Sequence, residues 1–477
     1  MFEIGDVVAM PLPLGGYGAA QVTGAAGDVI TVCLLRRHSE ALPALDDLRG
    51  AGPLTIDHHA WPGDPEVVNI DVADPVPTDF VLIGRLPIGR DLPRETICQG
   101  FWPGLPEEVT LQRLWETVIP AEARAAYKNA VGGRVRVDLG GSPMYRSGHM
   151  TKLDLRERRG EIRWAGLDVL PCLTGLTWAG ADRGLVEALE ARPMISSLHW
   201  SDPPDEVDLG RTHLTELTFS GSGPRRAVLP PGVLHLRLDG ELPELVTANS
   251  DGRWVRLGSV CGVPRGLAEV RKVFLDVAGD LVLATLDELV ELEFLYVRWR
   301  KRYGGLVGRL ASPRLDRLEL VNAYGVDASM VPESLRALSV SGLRSSQAGP
   351  IRQRYQGSGT DVEVYGAKSD KWLAVNLDNP LRDWVDDHKR AGTEACQAYV
   401  VAAEAIGRLT PDDPGAVADA RQTLRDFVQE LNSIDERYGS IDTLRRQEAG
   451  DAFGELAKRA GVPAAEAASW FDDWREF

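Results

Sequence analysis

The chain has 477 residues, and its 53 basic against 70 acidic side chains leave a net charge of −17. That balance disfavours nucleic acid as a partner, because phosphate contact needs a basic face. A hydrophobic content of 44% argues against wholesale disorder, and no run approaches the ~18 apolar residues of a membrane span, so no membrane is expected as a partner.

At roughly 100–200 residues per domain the length suits two to four domains. The charge is unevenly placed: residues 1–100 and 371–477 are each net −8, and residues 101–370 are net −1. Acidic ends of this kind keep a chain in solution and attract basic partners. The five cysteines (Cys33, Cys98, Cys172, Cys261 and Cys396) are scattered and never form CxxC. That pattern fits a reducing cytoplasm rather than a disulfide framework or a structural zinc. The acidic opening, Met1 to Asp6, has neither the basic nor the apolar region of a secretory signal.

The first hundred residues read as short strands separated by glycine and proline. Val7-Val8-Ala9-Met10 is an apolar strand, Gly15-Gly16-Tyr17-Gly18 a tight turn, and Ala19 to Val22 a second strand. Val29 to Leu35, Val67 to Ile70 and Phe80 to Gly84 continue the pattern. Such runs predict a small antiparallel sheet or partly open barrel.

Gly5-Asp6-Val7-Val8-Ala9-Met10-Pro11-Leu12 with Gly16-Tyr17-Gly18-Ala19-Ala20-Gln21-Val22 resembles the opening of the bacterial immunity protein 26 family. Phe80-Val81-Leu82-Ile83-Gly84-Arg85-Leu86-Pro87 resembles that family's final strand. The resemblance spans residues 3–92 and implies neutralisation of a cognate toxin by binding. The same region holds Asp57-His58-His59, a signature that in one phosphoesterase superfamily binds divalent metal to activate water. Such a site needs further aspartates on other strand ends, and no matching motif precedes it; the alternative is a polar loop.

Pro106 to Trp115 and Pro120 to Ala130 predict two short helices, with Leu111, Leu114 and Trp115 as an apolar stripe that could cap a solenoid. From about residue 135 one pattern recurs: apolar, two variable, apolar, variable, apolar. It stands at Leu173/Leu176/Trp178, Ile195/Leu198/Trp200, Leu214/Leu217/Phe219 and Val233/Leu236/Leu238, then at Val270/Val273/Leu275, Leu292/Leu295/Val297, Leu315/Leu318/Leu320 and Leu335/Leu338/Val340. The spacings are 22, 19, 19, 37, 22, 23 and 20, and the long one hides a degenerate copy around Trp254–Val260. A period near 20 with this pattern is the signature of leucine-rich repeats, whose units bury their faces only by stacking. Val135 to Leu139 and Leu153 to Leu155 suit N-terminal caps, and Asp361 to Tyr365 a last strand.

The period also names an outward, concave strand face. At its centre Phe274, Phe294 and Tyr296 are rimmed by Lys272, Arg298 and Arg317, the composition of a protein-binding hot spot. The basic run Arg298-Trp299-Arg300-Lys301-Arg302-Tyr303 reads as a solvated loop or a contact for an acidic protein segment.

Beyond Asn379-Pro380 the strand patterns stop. One helix is expected from Leu381 to Arg408, ended by Pro411-Asp412-Asp413-Pro414. A second carries Val417, Leu424, Val428 and Leu431. A third, from near Ser440, places Ile441, Leu444, Phe453 and Leu456 on one face, and Trp470, Phe471 and Trp474 mark a final aromatic helix. Asn379 to Trp384 with Ile441 to Glu448 also resembles the tail of actinobacterial leucine-rich-repeat proteins labelled as gliding-motility proteins.

The fold class expected is therefore an α+β multidomain chain. It comprises a small antiparallel β domain (1–100), a helical linker or cap (101–131), a leucine-rich-repeat solenoid (132–370) and a helical C-terminal bundle (371–477). No GxSxG, HExxH, P-loop or post-strand GxGxxG occurs, so no catalytic residue, metal or cofactor is expected. The function expected is non-enzymatic binding of a protein partner, sharpened to a toxin domain by the resemblance. The alternatives are a repeat scaffold or regulator without a toxin partner, and a metal-dependent hydrolase at Asp57, His58 and His59. The sequence carries no signal for oligomeric state.

Overall fold

The computed structural model describes residues 2–74, 76–260, 262–300, 304–308, 313–409 and 415–477. The chain divides into two compact units. One is Met1–Leu275 with Glu288–Phe294 and Ser312–Arg314; the other is Asp276–Asp287 with Leu295–Ala311 and Leu315–Phe477.

The first unit opens with β1 (Asp6–Pro11), β2 (Tyr17–Ala26), β3 (Val29–Ser39), β4 (Val67–Asp71) and β5 (Val81–Arg85). They form one antiparallel sheet in the order β4-β3-β2-β1-β5. Successive side chains of a strand point to opposite faces, and here both faces are covered. Val8, Met10, Val22, Val32 and Ile70 pack with Trp102, Leu105 and Val109. Val7, Ala19, Cys33 and Leu35 pack with Leu48, Leu86 and Leu92. That double burial explains why Val7 to Met10 is apolar at every position rather than at alternate ones. Gly16 makes the β1–β2 turn: its φ is +77°, and a Cβ there would stand 2.5 Å from the Ser39 carbonyl oxygen.

The helix α1 (Leu105–Thr117) has Pro106 in its first turn, where a missing N–H is harmless. Its start packs on the sheet through Leu105 and Val109. Its end packs through Trp115, with Ile119, against Met194 among the repeats. The expected stripe is thus narrower than Leu111, Leu114 and Trp115, since only Trp115 is fully buried. Helix α2 (Ala121–Lys128) comes next.

The repeats of this unit are parallel strands in chain order: β6 (Lys152–Asp154), β7 (Gly175–Ala179), β8 (Ser197–Ser201), β9 (Glu216–Gly221), β10 (His235–Gly240), β11 (Arg256–Ser259) and the start of β12 (Lys272–Val277). Leu176, Leu198, Leu217, Leu236, Leu257 and Val273 stand in register, as do Trp178, Trp200, Phe219, Leu238, Ser259 and Leu275. All twelve are buried. The degenerate copy is β11, with Leu257 inward. Trp178 Nε1 donates to the Ala181 carbonyl at 2.9 Å, and Trp200 Nε1 to the Gly180 carbonyl at 2.8 Å, so the burial of each indole leaves no orphaned donor. The proline-rich return segments hold a second parallel ladder, Glu206–Asp208, Arg226–Val228 and Leu245–Thr247, which the leucine period does not reveal. Residues Arg134–Val137 pair antiparallel with Met144–Ser147, so the first expected cap is a hairpin.

The second unit carries most of β13 (Phe294–Trp299), then β14 (Arg317–Val321), β15 (Ala337–Ser341) and β16 (Asp361–Tyr365), the last three parallel and adjacent. Trp299 Nε1 donates to the Gly279 carbonyl at 3.0 Å, repeating the device of Trp200. Helices α3 (Ser345–Arg354) and α4 (Asp370–Asn376) flank the last strand in sequence. The helical part is α5 (Lys389–Gly407), α6 (Ala416–Tyr438), α7 (Thr443–Arg459) and α8 (Ala464–Trp474).

Three expectations are corrected in this helical part. The helix from Leu381 is broken at His388, whose extended backbone and Nδ1, accepting from the Ala391 N–H at 3.3 Å, start α5 afresh. Close packing of Gly392 on the Trp384 backbone, where a Cβ would approach to 2.3 Å, sets that corner. Val417 and Leu444 are 70% and 65% exposed; each lies in the first turn of its helix, before the buried stripe begins. Pro411 to Pro414, Lys301 to Tyr303 and Cys261 lie outside the described residues.

Trp200→Ala removes a fully buried indole from the middle of the ladder. It should cost about 3–5 kcal/mol in chemical denaturation. Val417→Ala should stay within about 0.5 kcal/mol of the parent.

Candidate protein-interaction face

The outward positions of the parallel strands are the ones between and beside the buried pairs. In the first unit these include His199, whose Nε2 lies 2.9 Å from Ser220 Oγ, and Ser201, 2.8 Å from the same oxygen. Arg237 donates to Asp239 at 2.6 Å. Phe274 and Phe294 are half-buried and meet edge to face, ring centroids 5.2 Å apart. The Arg256 guanidinium lies 5.8 Å from the Phe274 ring. Such aromatic pairs add about 0.5–1.5 kcal/mol beyond area burial.

Lys272 does not face open solvent. Its ammonium lies 5.6 Å from the Phe101 ring. Burial, then the charge of Arg256, lower its pKa to about 8. The strand starts around it are covered by the N-terminal part of the same unit. His235 Nε2 is 2.9 Å from Glu107 Oε1 on α1. Asp79, just before β5, accepts from Arg253 at 2.7 Å and from Arg271 at 3.2 Å. Burial raises the Asp79 carboxyl, but the Arg253 hydrogen bond and the two guanidinium charges outweigh it, and the net pKa falls below the usual range.

In the second unit Tyr296 is half-buried and its phenol pKa is raised, chiefly by burial. Arg298 and Arg300 both pair with Asp276, at 2.6 and 2.8 Å. Arg317 pairs with Glu319 on its own strand at 2.7 Å. These arginines are thus held in place while their guanidinium planes stay about half exposed, at 46% for Arg298 and 53% for Arg317. The structure gives Phe274 and Phe294 a shared cluster, shelters Lys272, and ion-pairs Arg298 and Arg317. Sequence reasoning missed Asp79, Glu107, Arg253 and Arg271. They are polar residues outside the leucine period, and nothing in their spacing announces a pairing across 174 residues.

The Asp57-His58-His59 segment is neither an exposed loop nor an open ligand set. Gln112 on α1 donates to Asp57 Oδ1 at 2.5 Å and accepts from the Asp57 N–H at 3.0 Å. The two imidazoles meet through Nδ1, 3.2 Å apart. The His59 ring packs on Trp115 and Tyr127 with centroids 5.0 and 5.4 Å away. Lys128 donates to the His59 and Trp61 carbonyls, both at 2.7 Å. Burial, then the neighbouring His59, drive the His58 pKa down to about 4. The motif fastens the loop to α1 and α2. Among the described residues no group of three or more His, Cys, Asp or Glu could hold a metal ion.

Asp79→Ala strands two guanidinium groups and should cost about 3 kcal/mol near neutral pH, read by chemical denaturation. Because the folded Asp79 pKa is depressed, that contribution is present above the ordinary carboxylate range and is lost as pH falls through the folded value. His58 behaves differently. The unfolded chain takes up its proton near pH 6.5 and the folded chain only near 4. Stability should therefore fall between those values, by up to about 3 kcal/mol, and level off below. His58→Gln should flatten that part of a urea-denaturation series.

No family model matches the chain, and no curated protein matches it. Among solved structures, one from the LRIM1/APL1C complex aligns at 12% identity over 64% of this chain and 72% of the other, with a TM-score of 0.27. That likeness carries no argument here. The leucine-rich-repeat-like arrangement rests on this chain's own parallel strands, their register and the period near 20.

Proposed function

We propose that the chain is a non-enzymatic protein-binding protein of the leucine-rich-repeat-like kind. The observation that carries the reading is the edge-to-face pair of Phe274 and Phe294 on the outward side of strands whose inward side is already filled. Half-buried aromatic side chains on an outward face, set beside arginine, are what interface hot spots are made of. The oriented guanidinium groups of Arg298 and Arg317 support it, since a paired arginine loses less side-chain freedom on binding. The net charge of −17 favours a basic partner.

The sharper form is neutralisation of a toxin domain, supported by the resemblance of residues 3–92 to immunity protein 26. We place the chain in the cytoplasm. Cys33, Cys98, Cys172 and Cys396 are free thiols, as suits a reducing compartment. Among the described residues no helix is long and apolar enough to cross a membrane.

The test is affinity capture with the full chain, then titration of the captured protein. The parent should hold one stoichiometric partner. Phe274→Ala with Phe294→Ala should weaken it by about tenfold or more while the melting temperature stays within a few degrees. Unchanged affinity, or loss of the fold, would remove these rings from the interface. Growth rescue on co-expression with the captured partner separates a toxin from a scaffold client.

A further inference from the structure

The first unit contains a cavity of about 60 Å³, several times the ~10–15 Å³ that one water needs. Four cations, Arg253, Arg256, Arg271 and Lys272, line it against two carboxylates, Glu107 and Glu293. The counter-charges are shared unevenly. Glu107 is 2.9 Å from His235, and Asp79, outside the lining, takes Arg253 and Arg271. Among the described residues the side chains of Arg256 and Lys272 make no hydrogen bond or ion pair. The aromatic partners they do have are Phe274 and Phe101, 5.8 and 5.6 Å away. The Arg271 side chain is 9% exposed, and its Nε, 3.5 Å from Glu293 Oε1, makes no hydrogen bond. Desolvated cations without a contacting counter-charge are costly, and an anion between Arg256 and Lys272 would lower that cost.

We propose that this cavity binds a small oxyanion of the phosphate class through Lys272, Arg256 and the Nε of Arg271. Charge matching asks for an anion: with Asp79 counted, the four cations exceed the three carboxylates by one positive charge. Guanidinium groups supply directed N–H donors and the ammonium a compact charge, the pairing suited to phosphate oxygens. Pro103 and Pro106 in the wall offer no N–H. The site adjoins the strand-face aromatics through Arg256, 5.8 Å from the Phe274 ring, and Lys272→Met, which leaves the Phe274–Phe294 pair in place, tests phosphate binding separately from protein binding.

Equilibrium dialysis of the full chain against radiolabelled inorganic phosphate, at ionic strength fixed with chloride, tests it. The parent should bind one phosphate per chain, saturably. Lys272→Met should bind about tenfold more weakly or worse, and Arg256→Gln likewise. Without phosphate, Lys272→Met should melt close to the parent, because the ammonium makes no hydrogen bond or ion pair among the described residues and its neighbouring carboxylates, Glu107 and Glu293, keep His235 and Arg271. That control separates loss of the site from loss of the fold. Competition by glycerol phosphate assigns a phosphate monoester as the ligand, and its absence assigns the free ion; either supports the class. Absence of saturable binding by the parent, undiminished affinity in both variants, or competition by acetate as strong as that by phosphate would overturn the proposal.

Discussion

A repeat strand of this chain has two inward side chains and no means of burying them alone. Everything else depends on that constraint. Leu198 and Trp200 are dry only because Leu176 and Trp178 lie on one side and Leu217 and Phe219 on the other. The backbone of each strand is likewise satisfied by its neighbours, so the ladder forms as a stack or not at all. The indole N–H groups add a second condition. Trp178, Trp200 and Trp299 each reach a carbonyl on the adjoining turn, which fixes where the chain leaves the strand. Spacing between repeats can then vary while the inward pair stays in register.

This is why the parallel strands of the repeats were legible. A two-residue alternation within a period near 20 leaves a mark on the sequence wherever burial demands leucine, and even the degenerate copy kept Leu257. The antiparallel sheet was legible for the same reason, although its double burial erased the alternation that normally tells one face from the other. The helical end was read less accurately. Val417 and Leu444 fit the spacing of a buried stripe but fall in first turns that extend past the core, and His388 breaks a helix that composition alone would continue. Counting outward positions put Phe274 and Phe294 side by side, and their rings meet in the structure. The sheltering of Lys272 was not, because shelter comes from Phe101 and Glu107, more than 120 residues earlier in the chain.

The charged cluster formed by Asp79, Arg253 and Arg271 belongs to a different level of organisation. Asp79 lies 174 and 192 residues before its two arginines, so the cluster closes long loops rather than linking neighbours. The repeats can build themselves from neighbour to neighbour, and the N-terminal sheet from its own hairpins. Helix α1 then has work at both ends: Leu105 and Val109 on the sheet, Trp115 on Met194. A helix that serves two cores cannot be optimised for either. Its polar Gln112 is correspondingly spent on holding the Asp57 loop rather than on solvent.

The strand β16 ends the parallel ladder among the described residues. An unpaired parallel edge invites another chain to continue the sheet. Here Asp361 and Glu363 stand exposed along it, and Arg352 from α3 donates to the Val364 carbonyl at 2.9 Å. One acceptor that an incoming strand would need is already taken, and two copies brought edge to edge would press like charges together. Two acidic side chains and a single guanidinium thus stand where the ladder ends, charge and an occupied acceptor in place of an open edge.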